Sequence, residues 1–112
     1  MSRAQSPAFL VARSRAEWHA LWEQIGQPPP AELPDHLMAL GIFLGTRTSG
    51  GYGIDITDIR LERRAGHRER LAIFYREITP APDAMVIQAL TSPYMIVLVD
   101  RSDAAVRSVR VR

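Results

Sequence analysis

The segment from residue 43 to 56 constrains the fold most, because an apolar run, a glycine-rich loop and an alternating strand pattern follow one another there. A phosphate-binding loop would continue into Gly-Lys-Ser/Thr or a helix N-terminus, and here a strand follows instead. Two interpretations stay open. The loop is either a long hairpin turn that uses glycine for positive φ, or a recognition loop. The residues that a recognition loop would present are Arg47, Thr48, Ser49 and Tyr52.

A short helix is predicted before this segment, over residues 15–25. Ser14 and Glu17 have the spacing of a capping box, in which each side chain satisfies the other residue's backbone N–H. Gly26 and the three prolines that follow it predict the end of the helix. An apolar stripe along one helix face is formed by Trp18, Leu21, Trp22 and Ile25. Two tryptophans on one face predict that this helix docks against a sheet.

Strand patterns occupy most of the remaining chain. Residues 37–44 are apolar at both odd-numbered and even-numbered positions, which is typical of a strand covered on both faces. The apolar positions switch from even to odd after Ile56, and this switch predicts a β-bulge near Thr57 and Asp58. The other predicted strands are 8–12, 71–78, a candidate short strand at 85–90, a continuous buried strand at 94–99, and a final edge strand near 106–111.

The predicted fold class is therefore α+β. One N-terminal amphipathic helix packs on a curved, mostly antiparallel sheet, or on an open barrel or sandwich, of six to seven strands. A length of 112 residues predicts a single domain, and the proline-rich stretch 27–36 is predicted to be a loop. One helix cannot cover both faces of the apolar strands. Either the sheet closes over itself or a second copy covers the remainder, so monomer and homodimer both stay open.

The residues that could carry chemistry give no catalytic or metal pattern. The chain has no cysteine, which excludes a disulfide scaffold and thiolate zinc sites. His19, His36 and His67 share no metal-ligand spacing, and no cofactor is predicted. Asp55 and Asp58 carry no mark of an acid/base pair, and no G-x-S-x-G nucleophile elbow is present. The chain is not predicted to be an enzyme.

All 14 basic residues are arginine, and five of them cluster in one predicted hairpin, 60–70. These five are Arg60, Arg63, Arg64, Arg68 and Arg70, interleaved with Glu62, His67 and Glu69. The net charge of +2 is small, whereas binding of a polyanion needs a concentrated basic face. The favoured interpretation is a solvated hairpin tip. A nucleic-acid-binding domain that uses this hairpin is the alternative, and nucleic acid is not the favoured partner.

The location of the protein is left open by the sequence. No apolar run reaches the ~18 to 20 residues that a membrane-spanning helix needs. The N-terminal residues lack the length and cleavage pattern of a secretory signal. The chain is then either cytosolic or begins downstream of a removed signal.

Four motifs in order resemble the PrcB C-terminal-domain family, which is named for an accessory subunit of a bacterial surface protease complex. They are E-W-x-x-L-W from Glu17, G-x-R-x-S-G-G-Y from Gly45, E-x-x-P from Glu77, and T-S-P-Y-x-I-V from Thr91. The resemblance extends from about residue 9 to residue 100. It implies a non-catalytic binding or accessory module, with members that are often exported or lipid-anchored.

The same resemblance implies where a partner binds. The module would assemble with or stabilise a protein partner, a protease among the candidates, through the loop 45–53 and the T-S-P-Y segment. The residues that mark these two segments are Gly50, Gly51, Tyr52, Pro93 and Tyr94. A peptidase inhibitor is an alternative, because T-S-G-G-Y is similar to the Thr-Gly-Tyr/Phe loop of chagasin-like inhibitors, apart from one additional glycine.

Overall fold

The structure is a computed structural model that describes residues 3–63, 65–66 and 68–112. It contains one α-helix and six strands within that part of the chain. In chain order the elements are β1 (Ala8–Ala12), α1 (Arg15–Ile25), β2 (Leu37–Phe43), β3 (Gly53–Glu62), β4 (Arg70–Ile78), β5 (Tyr94–Asp100) and β6 (Ala105–Arg110). The α+β prediction is confirmed, with two three-stranded sheets that do not close into a barrel.

Helix α1 begins and ends where its sequence predicts. The Ser14 side chain accepts a hydrogen bond from the Glu17 N–H at 3.1 Å. The Glu17 carboxylate accepts from the N–H of Arg13, one residue before the cap, so the reciprocal contact of the capping box is shifted by one position. Gly26 ends the helix with φ of 87°, and its N–H donates to the Trp22 and Glu23 carbonyls. No helix in the described part of the chain is long and apolar enough to span a membrane.

The apolar stripe of α1 covers one face of the first sheet, whose strand order is β1-β2-β5. Trp18 is buried, and its indole N–H donates to the Ala31 carbonyl at 2.8 Å. This bond ties the proline-rich connector to the helix. The buried residues of this first core cluster are Ala12, Trp18, Leu21, Ile25, Ala39 and Phe43.

The second sheet, of order β3-β4-β6, covers the opposite face of the first. The buried residues between the sheets are Leu40, Ile42, Leu44, Ile54 and Ile73. Strand β2 is therefore covered on both faces, by α1 on one side and by the second sheet on the other, as its apolar sequence predicts. The sandwich closes over β2 without a second copy of the chain.

The register of the second sheet confirms the predicted bulge. Strands β3 and β4 pair antiparallel, and the register shifts between Ile56 and Asp58. The extra residue restores the inward direction of Ile59 after the parity switch. Strand β6 lies at the edge, as predicted, and pairs parallel with β4. The sheets are mostly antiparallel, with this one parallel pair.

Two strand predictions are wrong. Residues 85–90 form no strand; their contacts with the rest of the fold include a backbone hydrogen bond from the Gly50 N–H to the Ile87 carbonyl. This apolar segment therefore lies against the glycine-rich loop and pairs with no strand of either sheet. Strand β5 is not fully buried either: it lies at a sheet edge, its residues are half-buried, and Leu98 is 45% exposed.

Candidate functional site

The glycine-rich loop and the segment before β5 are joined by backbone hydrogen bonds. The Arg47 N–H donates to the Thr91 carbonyl at 2.7 Å, and the Thr91 N–H donates back to Arg47 at 2.9 Å. The Thr91 hydroxyl donates to the Ser49 carbonyl at 2.7 Å. Two motifs that lie some forty residues apart in the sequence thus form one unit in the fold.

Gly51 lets this unit pack closely. Its φ of 89° lies in the left-handed region that side chains rarely adopt. A Cβ at this position would lie 2.8 Å from a methyl carbon of Val86 and 2.9 Å from the Pro80 ring. The backbone of the loop therefore contacts the 80–86 stretch directly, and only glycine fits without a shift of its neighbours.

Arg47 holds the loop on strand β4. Its Nε donates to the Glu77 carboxylate at 2.6 Å, and its Nη1 donates to the carbonyls of Leu44 and Thr46 at 3.1 Å each. Glu77 also accepts from Arg110 of β6, and its side chain is only 8% exposed. The Arg47 side chain is thus held by backbone carbonyl groups at the start of the loop and by Glu77, and it is not free in solvent.

The electrostatics of this cluster follow from the two guanidinium groups around one carboxylate. Hydrogen bonding from Arg47, more than the charge of Arg110, lowers the pKa of Glu77 below its usual value. The same hydrogen bond raises the pKa of Arg47. Two arginines on one carboxylate leave a net positive charge next to Tyr52, whose ring centre lies 5.9 Å from the Arg47 guanidinium carbon.

A shallow groove opens where the two joined segments meet. Its volume is about 310 Å³. We call it the loop groove, and its lining residues are Gly50, Gly51, Tyr52, Gly53, Thr91, Pro93 and Tyr94. Tyr94 also stacks on Phe43 of the core, with ring centres 6.3 Å apart, so this wall of the groove is fixed by packing.

Exposed apolar side chains flank the loop groove. In the 85–90 segment, Met85 is 101% exposed, Ile87 74% and Leu90 66%. The Ile87 side chain lies next to Gly50, where an added Cβ would be 3.6 Å from it. Apolar side chains gathered at one place on a surface are typical of an interaction site, whereas scattered ones need no explanation.

The predicted site residues fall into two groups. Five of them line the loop groove: Gly50, Gly51, Tyr52, Pro93 and Tyr94. Thr48 is exposed beside it, as expected of a presented residue, but Ser49 is buried and its hydroxyl donates to the Gly50 carbonyl. Arg47 is half-buried and ion-paired. These last two residues shape the loop from within.

The exposed side chains of the 85–90 segment are absent from the sequence-based site. The apolar pattern of this segment fits a buried strand and an exposed apolar loop equally well, so the sequence does not distinguish the two. Glu77 appears in the E-x-x-P motif, yet its pairing with Arg47 across 30 residues leaves no signal in local spacing.

The arginine-rich hairpin carries compensated charge in its described part. Arg60 pairs with Asp58, Arg63 with Glu69, and Arg70 with Glu62. Glu62 also accepts two hydrogen bonds from Arg107, at 2.9 and 2.8 Å. Two further residues of the predicted cluster, Arg64 and His67, lie outside the described residues.

Phe74 lies on the same outer face as these ion pairs. The guanidinium carbon of Arg60 is 4.8 Å from its ring centre and that of Arg107 is 5.7 Å from it. These cations are held by an aromatic ring and by carboxylates, which is the arrangement of a solvated sheet face. Within residues 3–63, 65–66 and 68–112, no group of three His, Asp or Glu residues could hold a metal ion.

Comparison with known proteins identifies the family. No curated protein matches the chain, and no solved structure matches it. The family model described as PrcB C-terminal matches residues 38–100, which is more than half of the chain. The match covers β2 to β5 and both walls of the loop groove. Strand β1 and helix α1 lie outside the match, although the resemblance seen in the sequence begins at about residue 9. The chain belongs to the PrcB C-terminal family.

Proposed function

We propose that the chain is a non-catalytic binding module that assembles with a protein partner, a protease or a subunit of its complex, through the loop groove and the exposed 85–90 segment. The observation that carries the proposal is the union of two family segments into one groove beside exposed apolar side chains. In this proposal the 112 residues act as one domain.

The groove has the physical character of a protein-binding surface. Tyr52, Pro93 and Tyr94 offer rigid apolar area with a polar edge, which loses little conformational entropy on binding. Met85 and Leu90 add flexible and branched apolar area beside it. Their burial under a partner would remove apolar surface from water, which is the main favourable term in association.

The proposal assigns no catalytic role to Glu77, the carboxylate that anchors the loop through Arg47. Glu77 is held by two arginines that lower its pKa, so it stays ionised at neutral pH and accepts hydrogen bonds only. A general acid or base would need a pKa nearer the working pH. Arg47 and Glu77 are positioned to fix the loop, and the family's association with an accessory subunit supports the same interpretation.

Affinity capture from an extract of the source organism tests the proposal. We expect the wild-type chain to enrich a peptidase or a subunit of a peptidase complex, identified by mass spectrometry. The variant Met85→Ser with Leu90→Ser should lose this enrichment, and because both side chains are exposed we expect it to fold as wild type does. Leu61→Ser is the matched control, because Leu61 is 50% exposed on β3 outside the groove.

Tyr52→Ala is the second test variant and addresses the groove itself. Arg47→Ala is unsuited to this purpose, because it would also release the loop from Glu77. Equal enrichment by wild type, Tyr52→Ala and the double serine variant would overturn the proposal. A loss of enrichment in the control Leu61→Ser as large as that in the test variants would overturn it too.

The two alternatives gain no specific support. An inhibitor loop that enters a peptidase cleft presents its side chains outward, whereas Ser49 is buried and Arg47 is paired within the fold. A polyanion site needs unpaired cations, whereas Arg60 and Arg70 are paired with carboxylates.

A further inference from the structure

The two open sheets leave four edge strands, and these differ in how they are protected. The edges of the first sheet are β1 and β5, and those of the second are β3 and β6. An edge strand presents unpaired N–H and C=O groups that can pair with another chain. Charges, bulges, proline and short length are the usual means by which a protein prevents such pairing.

Three of the edges carry such protection. Strand β3 has the bulge after Ile56 and charged residues on both sides of it. Strand β6 carries Arg107 and Arg110. Strand β1 has only five residues, between Pro7 and Arg13.

Strand β5 is longer than β1, and between Pro93 before it and Asp100 at its end it carries none of these features. It pairs with β2 over seven residues without a register shift. Its first six residues, YMIVLV, contain no charge, no proline and no glycine. Leu98, the fifth residue of this apolar run, is 45% exposed.

We propose that β5 is the interface with a second copy of this chain, paired antiparallel about a two-fold axis at Val97. The β1-β2-β5 sheets of the two copies would then form one continuous six-stranded sheet. In this register Leu98 lies opposite Ile96 of the second copy, so the exposed leucine gains an apolar cross-strand neighbour. The inference goes beyond the proposed function, since the partner there binds at the loop groove, which shares only Tyr94 with β5.

Charge placement favours a second copy over an unrelated strand. The only ionisable carboxylate of β5 is Asp100 at its end. Antiparallel pairing about Val97 sets the two Asp100 carboxylates at opposite ends of the ladder and places each across from Tyr94 of the other copy. The tyrosine hydroxyl is a donor and the carboxylate an acceptor, so the strand is complementary to itself.

Sedimentation velocity over a dilution series in the micromolar range tests the interface. We expect wild type to sediment at twice 12.6 kDa at the upper end of the series, and Leu98→Lys to remain at 12.6 kDa throughout. Leu61→Lys is the matched control on the protected edge β3 and should behave as wild type. A wild type that stays monomeric across the series would overturn the proposal, as would a Leu98→Lys variant that still dimerises.

A second measurement does not depend on a disruptive variant. The chain has no cysteine, so Val97→Cys introduces a single thiol at the proposed axis. Under mild oxidation we expect a disulfide-linked dimer from Val97→Cys, formed much faster than from the control Leu61→Cys. Equal rates for the two variants would contradict a β5 interface, and a strand supplied by another protein would leave both variants uncoupled.

Discussion

The Arg47 guanidinium donates to the Glu77 carboxylate at 2.6 Å and so fastens the glycine-rich loop to strand β4. Glu77 is almost fully covered and also receives Arg110 from β6. One carboxylate thereby connects the loop, the central strand of the second sheet and the last strand. The loop groove depends on this connection, because the same loop forms one of its walls.

Removal of either partner should destabilise the fold. Glu77→Gln removes the negative charge and one of the two carboxylate oxygens that accept from Arg47 and Arg110. We expect the free energy of unfolding to fall by about 1.5 to 3 kcal/mol, as for other hydrogen bonds to charged groups. Urea unfolding followed by tryptophan fluorescence measures the change. The exposed pair of Arg76 and Asp55 provides the control, and Arg76→Ala should change stability by less than about 1 kcal/mol. Equal losses in the two variants would contradict a special role for Glu77.

The stability should depend on pH through Glu77. Its pKa in the folded state lies below the usual 4.5, because Arg47 and Arg110 favour the ionised form. The stabilisation is therefore complete above the unfolded-state pKa and is lost as the pH falls through the folded-state pKa. Between about pH 5 and pH 2, wild type should lose more unfolding free energy than Glu77→Gln. Parallel profiles from urea titrations at each pH would contradict this assignment.

Two neighbouring glycines should respond differently to alanine. Gly51→Ala forces a Cβ into contact with Val86 and Pro80 at positive φ, and we expect a loss of about 1 to 2 kcal/mol or more in the free energy of unfolding. Gly50→Ala meets its nearest atom, on Ile87, at 3.5 Å, an ordinary contact, and should be nearly neutral. Thermal unfolding of both variants checks this. A neutral Gly51→Ala would mean that the loop does not pack as described.

The two tryptophans of α1 should also differ. Trp18 is buried and donates to Ala31, so Trp18→Phe leaves a carbonyl without its donor and a space in the core, with an expected loss of about 1 to 3 kcal/mol. The Trp22 indole N–H has no hydrogen-bond partner among the described residues, and Trp22→Phe should cost less. Urea unfolding followed by circular dichroism compares them. A larger loss for Trp22→Phe would contradict the assigned hydrogen bonds.

Local patterns predicted the elements that depend on neighbouring residues. Ser14 and Gly26 define α1, and the parity switch after Ile56 places the bulge, because caps and pleats act over a few residues. Two-sided burial of β2 followed from its apolar run. Site residues such as Tyr52 and Tyr94 were predicted from family motifs, and the fold places them in one groove.

Features that depend on distant residues could not be predicted. The Arg47–Glu77 ion pair and the Arg47–Thr91 bridge join positions 30 and more residues apart. The 85–90 segment is apolar like a strand, but in the fold it lies against the glycine-rich loop, where the Gly50 N–H donates to the Ile87 carbonyl. The parallel pairing of β6 with β4 likewise depends on the path of β5 through the other sheet.

Site-specific photo-cross-linking tests the central claim, that a protein partner binds at the loop groove and its apolar flank. The chain has no cysteine, so a thiol-reactive benzophenone can be attached at Met85→Cys alone, with Leu61→Cys as the equally labelled control. Irradiation in an extract of the source organism should yield, from position 85 and not from 61, an adduct with a peptidase or a subunit of its complex. Adducts of equal yield from both positions, or none from position 85, would contradict the account.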